Sequence, residues 1–365
     1  MKKVLILSNS IDGLFYFRKE VVNAILSKGY DVYISVPEGT KEKEDYFINN
    51  GCKIEHQNIN RRGTNPLQDF KLLLSYNKLI KNIKPSIILT YTIKPNVYGG
   101  IAARINKIPQ LANITGLGSS INNKGISYRI ALNLYKLGLS KASIVFYQNN
   151  SIKEFCQNNH IGKEGILLPG SGVDLNWHSF HHYPELGKTI RFLFIGRVMK
   201  DKGIDEFITM VKNIRSKYPN VEFSILGECE EDYKVVLNKL QNDKLLHWHG
   251  TVSDVRPYIR DSHCTILPSY HEGMANVLLE TCAAGRPIIA SNINGCKEAI
   301  DNGKNGYLCK VKSSEDLTNK VELFINLSHK VKSEMGCAAR KKMEYEFDRK
   351  IIIDEYLKEI ERFIL

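Results

Sequence analysis

Short apolar runs alternate with amphipathic stretches along almost the whole chain, and this alternation restricts the fold more than any other feature. Val4–Leu7, Val32–Val36, Ile87–Leu89, Gln110–Asn113, Ile144–Phe146 and Ile166–Leu168 read as buried strands. Between them apolar residues recur at helical spacing, as at Phe17, Val21, Ala24 and Ile25. Such repetition predicts an α/β fold with a mostly parallel sheet and helices on both faces. Pro184-Glu-Leu-Gly-Lys-Thr189 is polar, breaks the period and is expected to be a linker. A second series starts at Arg191 and runs through Val221–Leu226, Leu245–Trp248, His263–Leu267, Pro287–Ala290 and Gly306–Cys309. The expected organisation is two β/α/β domains, residues 1–184 and 185–345, followed by an amphipathic helix over 346–365. That helix would bury Phe347, Ile351, Ile352, Tyr356, Leu357, Ile360 and Ile364 along one face.

A chain of 365 residues is long enough for two cores. The opening Met1-Lys-Lys-Val-Leu-Ile-Leu-Ser8 has four consecutive apolar residues, too few for a signal h-region or a membrane span. None of the eight cysteines forms a Cys-x2-Cys pair, so neither structural zinc nor a thioredoxin-like redox motif is indicated. A reducing cytoplasm is the simplest compartment. Charge is uneven: residues 1–180 carry 23 Lys+Arg against 12 Asp+Glu, net +11, whereas the remainder is close to neutral at +1. A basic half of this kind fits nucleic acid, an anionic membrane surface or a phosphorylated substrate. A solvated lysine-rich surface is the plainer reading.

Two stretches carry candidate chemistry. In Gly196-Arg-Val-Met-Lys-Asp-Lys-Gly203, Arg197 follows the carboxyl end of the apolar strand Arg191–Ile195, and Lys202 precedes the next helix. Open α/β sheets bind ligands at that end of their strands. A guanidinium can chelate phosphate oxygens there, and an ammonium adds a mobile charge. In His271-Glu-Gly-Met-Ala-Asn-Val-Leu-Leu-Glu280, a helix expected to begin near Ala275 and stop at Gly285 follows the strand Cys264–Pro268. Glu272 then sits on the loop and Glu280 about a turn and a half inside the helix. The free N–H groups of Gly273, Met274, Ala275 and Asn276 form an anion-friendly helix start. Taken singly, these are ordinary solvated charges; together they suit a nucleotide diphospho-sugar.

The combination Gly-Arg-x4-Lys-Gly followed by Glu-x7-Glu resembles the family 4 retaining glycosyltransferases of GT-B fold. Phe17-Arg-Lys-Glu20, Thr92-Ile-Lys-Pro-Asn-Val-Tyr-Gly-Gly100, Asn113-Ile-Thr-Gly-Leu-Gly118 and Pro169-Gly-Ser-Gly-Val-Asp174 narrow the likeness to the bacterial capsule, O-antigen and lipid-linked glycan branch. The resemblance implies two Rossmann-like domains facing a cleft, with acceptor bound by the first and nucleotide sugar by the second. It also implies that the last helix crosses back onto the first domain. It assigns Glu280 to the ribose hydroxyls, Glu272 to the donor sugar, and Gly196, Arg197 and Lys202 to the diphosphate. Arg18, Lys94, Asn113 and Thr115 fall on the acceptor side. In the first loop, Ser8-Asn-Ser-Ile-Asp-Gly-Leu14, the dinucleotide pattern Gly-x-Gly-x-x-Gly is absent. Gly13 is either a close approach to the diphosphate, as in the family, or a plain helix-entry glycine.

The expected activity is transfer, with retention, of a hexose or N-acetylhexosamine from a UDP-sugar to a polyprenyl-diphosphate-linked glycan. The sugar nucleotide is a substrate, and no cofactor is implied. No Asp-x-Asp occurs in the chain, so no obligatory bridging metal is indicated. Many relatives carry a histidine where Thr115 stands, and a threonine cannot serve as general base near neutral pH. Asn113 and Thr115 either orient substrate or satisfy loop backbone groups. The rival readings are a GT-B-fold UDP-sugar epimerase and a basic nucleic-acid-binding protein. The latter needs stacking aromatics among its cations on one platform, whereas these charges are spread over several helices. Peripheral attachment to the inner face of the cytoplasmic membrane is the expected location, since each nearby basic residue adds about 1 kcal/mol of attraction to anionic lipid. For Leu73, Leu74, Ile80, Leu132 and Leu134, on the lysine-rich stretches Leu67–Lys84 and Lys124–Lys141, core packing is the default.

Overall fold

Strands buried on both faces form the centre of each half of the chain, as their unbroken Val, Ile and Leu runs require. The computed structural model describes residues 2–59, 65–116, 125–185, 187, 189–230 and 232–364. Arg61, Arg62, Leu117, Gly118 and Lys124, and Leu186 and Lys188 of the expected linker, lie outside the described residues.

The chain divides into two compact units, residues 1–171 with 350–365, and residues 172–349. In the first, the order is β1 (Lys3–Leu7), α1 (Ile11–Ser27), β2 (Asp31–Val36), α2 (Lys41–Asn49), β3 (Lys53–His56), α3 (Pro66–Ile83) and β4 (Ile87–Tyr91). A π-helical turn, Pro95–Gly99, then runs into α4 (Gly100–Ile105), followed by β5 (Gln110–Ile114), α5 (Ile126–Leu139), β6 (Ile144–Tyr147), α6 (Asn150–Asn158) and β7 (Gly165–Leu167). The seven strands order as β3-β2-β1-β4-β5-β6-β7, all parallel. The edge strand β3 escapes the apolar-run rule because it reads Lys-Ile-Glu-His and is largely exposed.

The second unit contains β8 (Ile190–Ile195), α7 (Ile204–Lys217), β9 (Val221–Leu226), α8 (Lys234–Asn242), β10 (His247–Trp248), α9 (Arg256–Asp261) and β11 (Cys264–Leu267). It continues with α10 (Asn276–Ala283), β12 (Ile288–Ser291), β13 (Gly306–Cys309), α11 (Ser314–Ile325) and α12 (His329–Glu346). Its six parallel strands order as β10-β9-β8-β11-β12-β13. Among the described residues, no helix is long and apolar enough to cross a membrane.

The second unit begins at Gly172, ahead of Pro184–Thr189. Val173 accounts for this: its N–H donates to Phe347 O at 2.8 Å and its carbonyl accepts from Arg349 N at 3.0 Å. Gly172 has φ +62°, and a Cβ there would lie 2.8 Å from Arg349 Cα, so only glycine lets the two segments meet so closely.

The last helix, α13 (Arg349–Ile364), returns to the first unit and buries Ile352, Tyr356 and Ile360 against α1 and the strand core. Phe347, expected on the same face, instead packs into the core of the second unit, because it caps α12 rather than opening α13. Ile351 is likewise turned outward, and Ile353 takes part in its place.

Candidate active site

In the second unit, two glycines shape the carboxyl end of the sheet. A Cβ at Gly227, just past β9, would fall 2.0 Å from Gly196 O, just past β8. Gly196 N–H donates to Leu226 O at 2.9 Å, which fixes the backbone that carries Arg197. The Arg197 guanidinium is half-exposed and makes a double contact with Glu230, at 2.9 and 2.8 Å.

Lys202 ends a short 3₁₀ turn, Lys200–Lys202, and Gly203 (φ +71°) starts α7. A Cβ on Gly203 would meet Pro268 O at 2.0 Å, so the glycine brings this turn against the end of β11. Tyr270 N–H donating to Asp201 O at 2.9 Å ties the same two segments together. As a result Lys202 Nζ lies 2.5 Å from Glu272 Oε1, with both side chains mostly buried. Ser269 Oγ donates to the same carboxylate oxygen at 2.7 Å.

Below this loop sits Gly295 (φ +89°), whose added Cβ would be 2.6 Å from Glu272 O and 2.8 Å from Gly273 O. Its carbonyl accepts from Ala275 N–H at 2.8 Å, and its own N–H donates to Glu298 Oε2 at 2.7 Å. Helix α10 then begins after Ala275, which provides no side-chain cap. Ala275 N–H, expected to be free, is thus taken, and Leu278 N–H donates to Ala275 O at 2.9 Å, so Asn276 and Val277 are the positions whose N–H groups a helix start leaves without an intrahelical acceptor. Met274 and Ala275 are buried, while Gly273 and Asn276 keep part of their surface.

Glu280 lies one turn further along α10. Burial pushes its carboxyl up to about 7, against a smaller downward pull from the Arg349 guanidinium. The same guanidinium helps burial lower His178 to about 4, which keeps that imidazole neutral.

The first-unit candidates are placed differently. Gly13 N–H donates to Ser10 Oγ at 3.2 Å, the N-cap bond of α1, so that donor already has a partner. Arg18 is 3% exposed; its Nη1 donates to Phe17 O at 2.7 Å and its guanidinium lies 5.5 Å from the Tyr91 ring centre. Lys94 is ion-paired to Asp69 at 2.7 Å, and Tyr98 Oη donates to the other oxygen of Asp69. Asn113, fully buried, donates to Tyr356 Oη at 2.6 Å and accepts from Gln148 at 3.4 Å. Thr115 is half-buried just past β5.

The structure thus gathers Gly196, Arg197, Lys202, Glu272, the Gly273–Asn276 turn and Glu280 at one end of one sheet. It assigns local structural partners to Gly13, Lys94 and Asn113. Sequence reasoning missed Glu230, Ser269 and Gly295. Of these, only Gly295 carried a signal, the Asn294-Gly295 turn dipeptide.

Residues 178–342 match the family described as glycosyl transferases group 1, and residues 3–149 match that described as glycosyl transferase 4-like. The chain is 29% identical to the N,N'-diacetylbacillosaminyl-diphospho-undecaprenol alpha-1,3-N-acetylgalactosaminyltransferase of Campylobacter jejuni, over 98% of each chain. It is 27% identical to the capsular polysaccharide biosynthesis glycosyltransferase CapM of Staphylococcus aureus, over 92% of this chain and 90% of that protein. Among solved structures, a glycosyltransferase from Rickettsia africae superposes with a TM-score of 0.83 at 17% identity, covering 100% of this chain and 98% of that one. Anabaena HepE, solved with UDP and glucose, gives 0.78 at 16% identity, covering 99% and 100%. With two family models spanning most of its length and its paired parallel sheets, the chain belongs to the group 1, family 4 glycosyltransferases and has their GT-B fold.

Proposed function

We propose that the protein transfers a hexose or N-acetylhexosamine from a UDP-sugar to a polyprenyl-diphosphate-linked glycan, with retention and without a metal ion, in bacterial surface polysaccharide synthesis. The observation that carries this reading is the meeting of Lys202, Glu272 and the uncapped start of α10 at the carboxyl end of the second sheet. In the reaction the bond from sugar C1 to the diphosphate breaks, and charge grows on the departing oxygen. Lys202, Arg197 and the first-turn N–H groups of α10 are placed to receive that charge. The acceptor oxygen bonds to C1 on the face that the diphosphate leaves, and its proton passes to a phosphate oxygen, since Thr115 is no base. Glu272 faces the donor sugar and steadies positive character at C1. Glu280 accepts hydrogen bonds from the ribose, and binding there favours its ionised form.

The name of the Campylobacter relative supports the acceptor class, since that enzyme acts on a diphospho-undecaprenol substrate. We place the first unit on the acceptor, with Arg18 as its buried cation, and the protein at the inner face of the cytoplasmic membrane. A panel of UDP-sugars incubated with a short-chain polyprenyl-diphosphate-linked saccharide tests this. The expected product is one sugar longer, with an α linkage. Conversion of a UDP-sugar to its epimer without an acceptor would overturn transfer.

A further inference from the structure

Helix α3 has two apolar faces. Leu72, Tyr76, Leu79, Ile80 and Ile83 are buried against the sheet. Leu67, Phe70 and Leu74 form a second stripe at i, i+3 and i+7, and they are 75%, 58% and 52% exposed. The helix packs on α4, and α4 packs on α5, so these three form one layer over one face of the sheet. On α5, Ile130 and Leu137, again seven apart, are about half exposed. Core packing, expected for Leu74, therefore does not hold, because the opposite face of α3 already fills that core.

The charge around these stripes is one-sided. Between residues 66 and 150 the chain has eleven Lys and Arg and a single carboxylate, Asp69. Lys94 and Tyr98 occupy that carboxylate. Lys71, Lys78 and Lys81 on α3 and Arg129 on α5 are exposed. Among the described residues these four cations have no ion-pair partner, and apolar residues set among such cations match the chemistry of an anionic bilayer, in which side chains enter the acyl boundary while the cations meet the headgroups.

Topology adds direction. In a parallel sheet, the helix that follows a strand starts at that strand's carboxyl end. The first turns of α3 and α5 therefore lie at the end of the sheet where Asn113 and Thr115 sit.

We infer that the α3–α4–α5 layer is the membrane-docking face, with Leu67, Phe70 and Leu74 inserting into anionic lipid beside the acceptor end of the first unit. This rests on the proposed lipid-linked acceptor and deepens it, because attachment becomes partly apolar rather than purely electrostatic.

The test is flotation of the full chain with phosphatidylglycerol/phosphatidylethanolamine vesicles, comparing wild type with the triple variant Leu67→Ser, Phe70→Ser, Leu74→Ser. All three sites are exposed, and circular dichroism melts check that the variant folds. Burying one such side chain is worth about tenfold in an equilibrium constant, so the triple variant should bind at least a hundredfold more weakly. Wild type should keep part of its binding at 1 M salt, where screening falls to about 3 Å, and the variant should keep none. Transfer to a water-soluble short-chain acceptor should be the same for both, which separates this inference from the proposed activity. Equal flotation of variant and wild type, or no flotation of wild type at low salt, overturns it. So does a wild-type dimer in solution that the three serines dissociate, since the face would then belong to a second copy.

Discussion

Lys202 Nζ lies 2.5 Å from Glu272 Oε1, so the cation assigned to the diphosphate is neutralised by the carboxylate assigned to the sugar. With Ser269 also donating to that oxygen, the pair is preformed and held on a glycine-tightened loop. In the proposed reaction an arriving diphosphate would compete with Glu272 for Lys202 and release the carboxylate toward the sugar. Arg197 is held in the same way by Glu230. Each cation is thus held by a carboxylate that the proposed ligand would have to displace.

Removing either cation should cut turnover by about a hundredfold or more, as loss of a preorganised charge-stabilising donor does. Steady-state kinetics of Arg197→Ala and Lys202→Ala, on variants whose melts match wild type, are the check. Wild-type rates for both would remove the diphosphate assignment.

Glu280 makes stability depend on pH in a definite direction. Its folded pKa, about 7, is above the 4.5 of a free carboxyl. Below pH 4.5 both states hold the proton and there is no effect. As pH rises from 4.5 to 7, the unfolded chain ionises first, and stability falls. Glu280→Gln should therefore be about 1–3 kcal/mol more stable than wild type at pH 8 and equal to it near pH 4.5. Urea titrations at the two pH values measure this.

Gly295→Ala should both destabilise the second unit and weaken the donor site. The new Cβ would press on the backbone of Glu272 and Gly273 from a left-handed φ, a cost of about 2 kcal/mol or more. The expected signature is a lower melting temperature together with a raised KM for the UDP-sugar. A changed melt with an unchanged KM would confine the glycine to a structural role.

Tyr356→Phe should destabilise the first unit by about 1–2 kcal/mol, because it leaves the buried Asn113 amide short of an acceptor. Denaturant unfolding compares it with Tyr345→Phe, an exposed control.

Activity should survive EDTA, since protein cations and a helix start are available for the leaving charge. A loss on chelation that magnesium or manganese restores would contradict metal independence.

Much of the architecture was legible because fully buried parallel strands write themselves as apolar runs, as in Val4–Leu7 and Cys264–Leu267. The edge strand Lys53–His56 was not, since exposure lets it carry charge. In the site, Arg197, Lys202 and Glu272 were visible as charges past strand ends, and Glu280 as a carboxylate in the helix that follows. Gly295 and Ser269 were not, because their roles lie in where one backbone passes under another and in a single short contact. The Lys94–Asp69 pair was hidden for a related reason: its members lie 25 residues apart, across a fold that spacing does not reveal. The outward stripe on α3 was hidden because Leu73 and Leu74 look alike in sequence, while only Leu73 turns inward.

The central claim, that the Arg197–Lys202 end of the second sheet holds a nucleotide diphosphate, is tested most directly by calorimetric titration of UDP into the full chain. Wild type should bind UDP, and Arg197→Ala and Lys202→Ala should each bind it about tenfold or more weakly, in keeping with charge-assisted contacts to phosphate. Equal affinity in all three proteins, or no binding to wild type, would contradict the account.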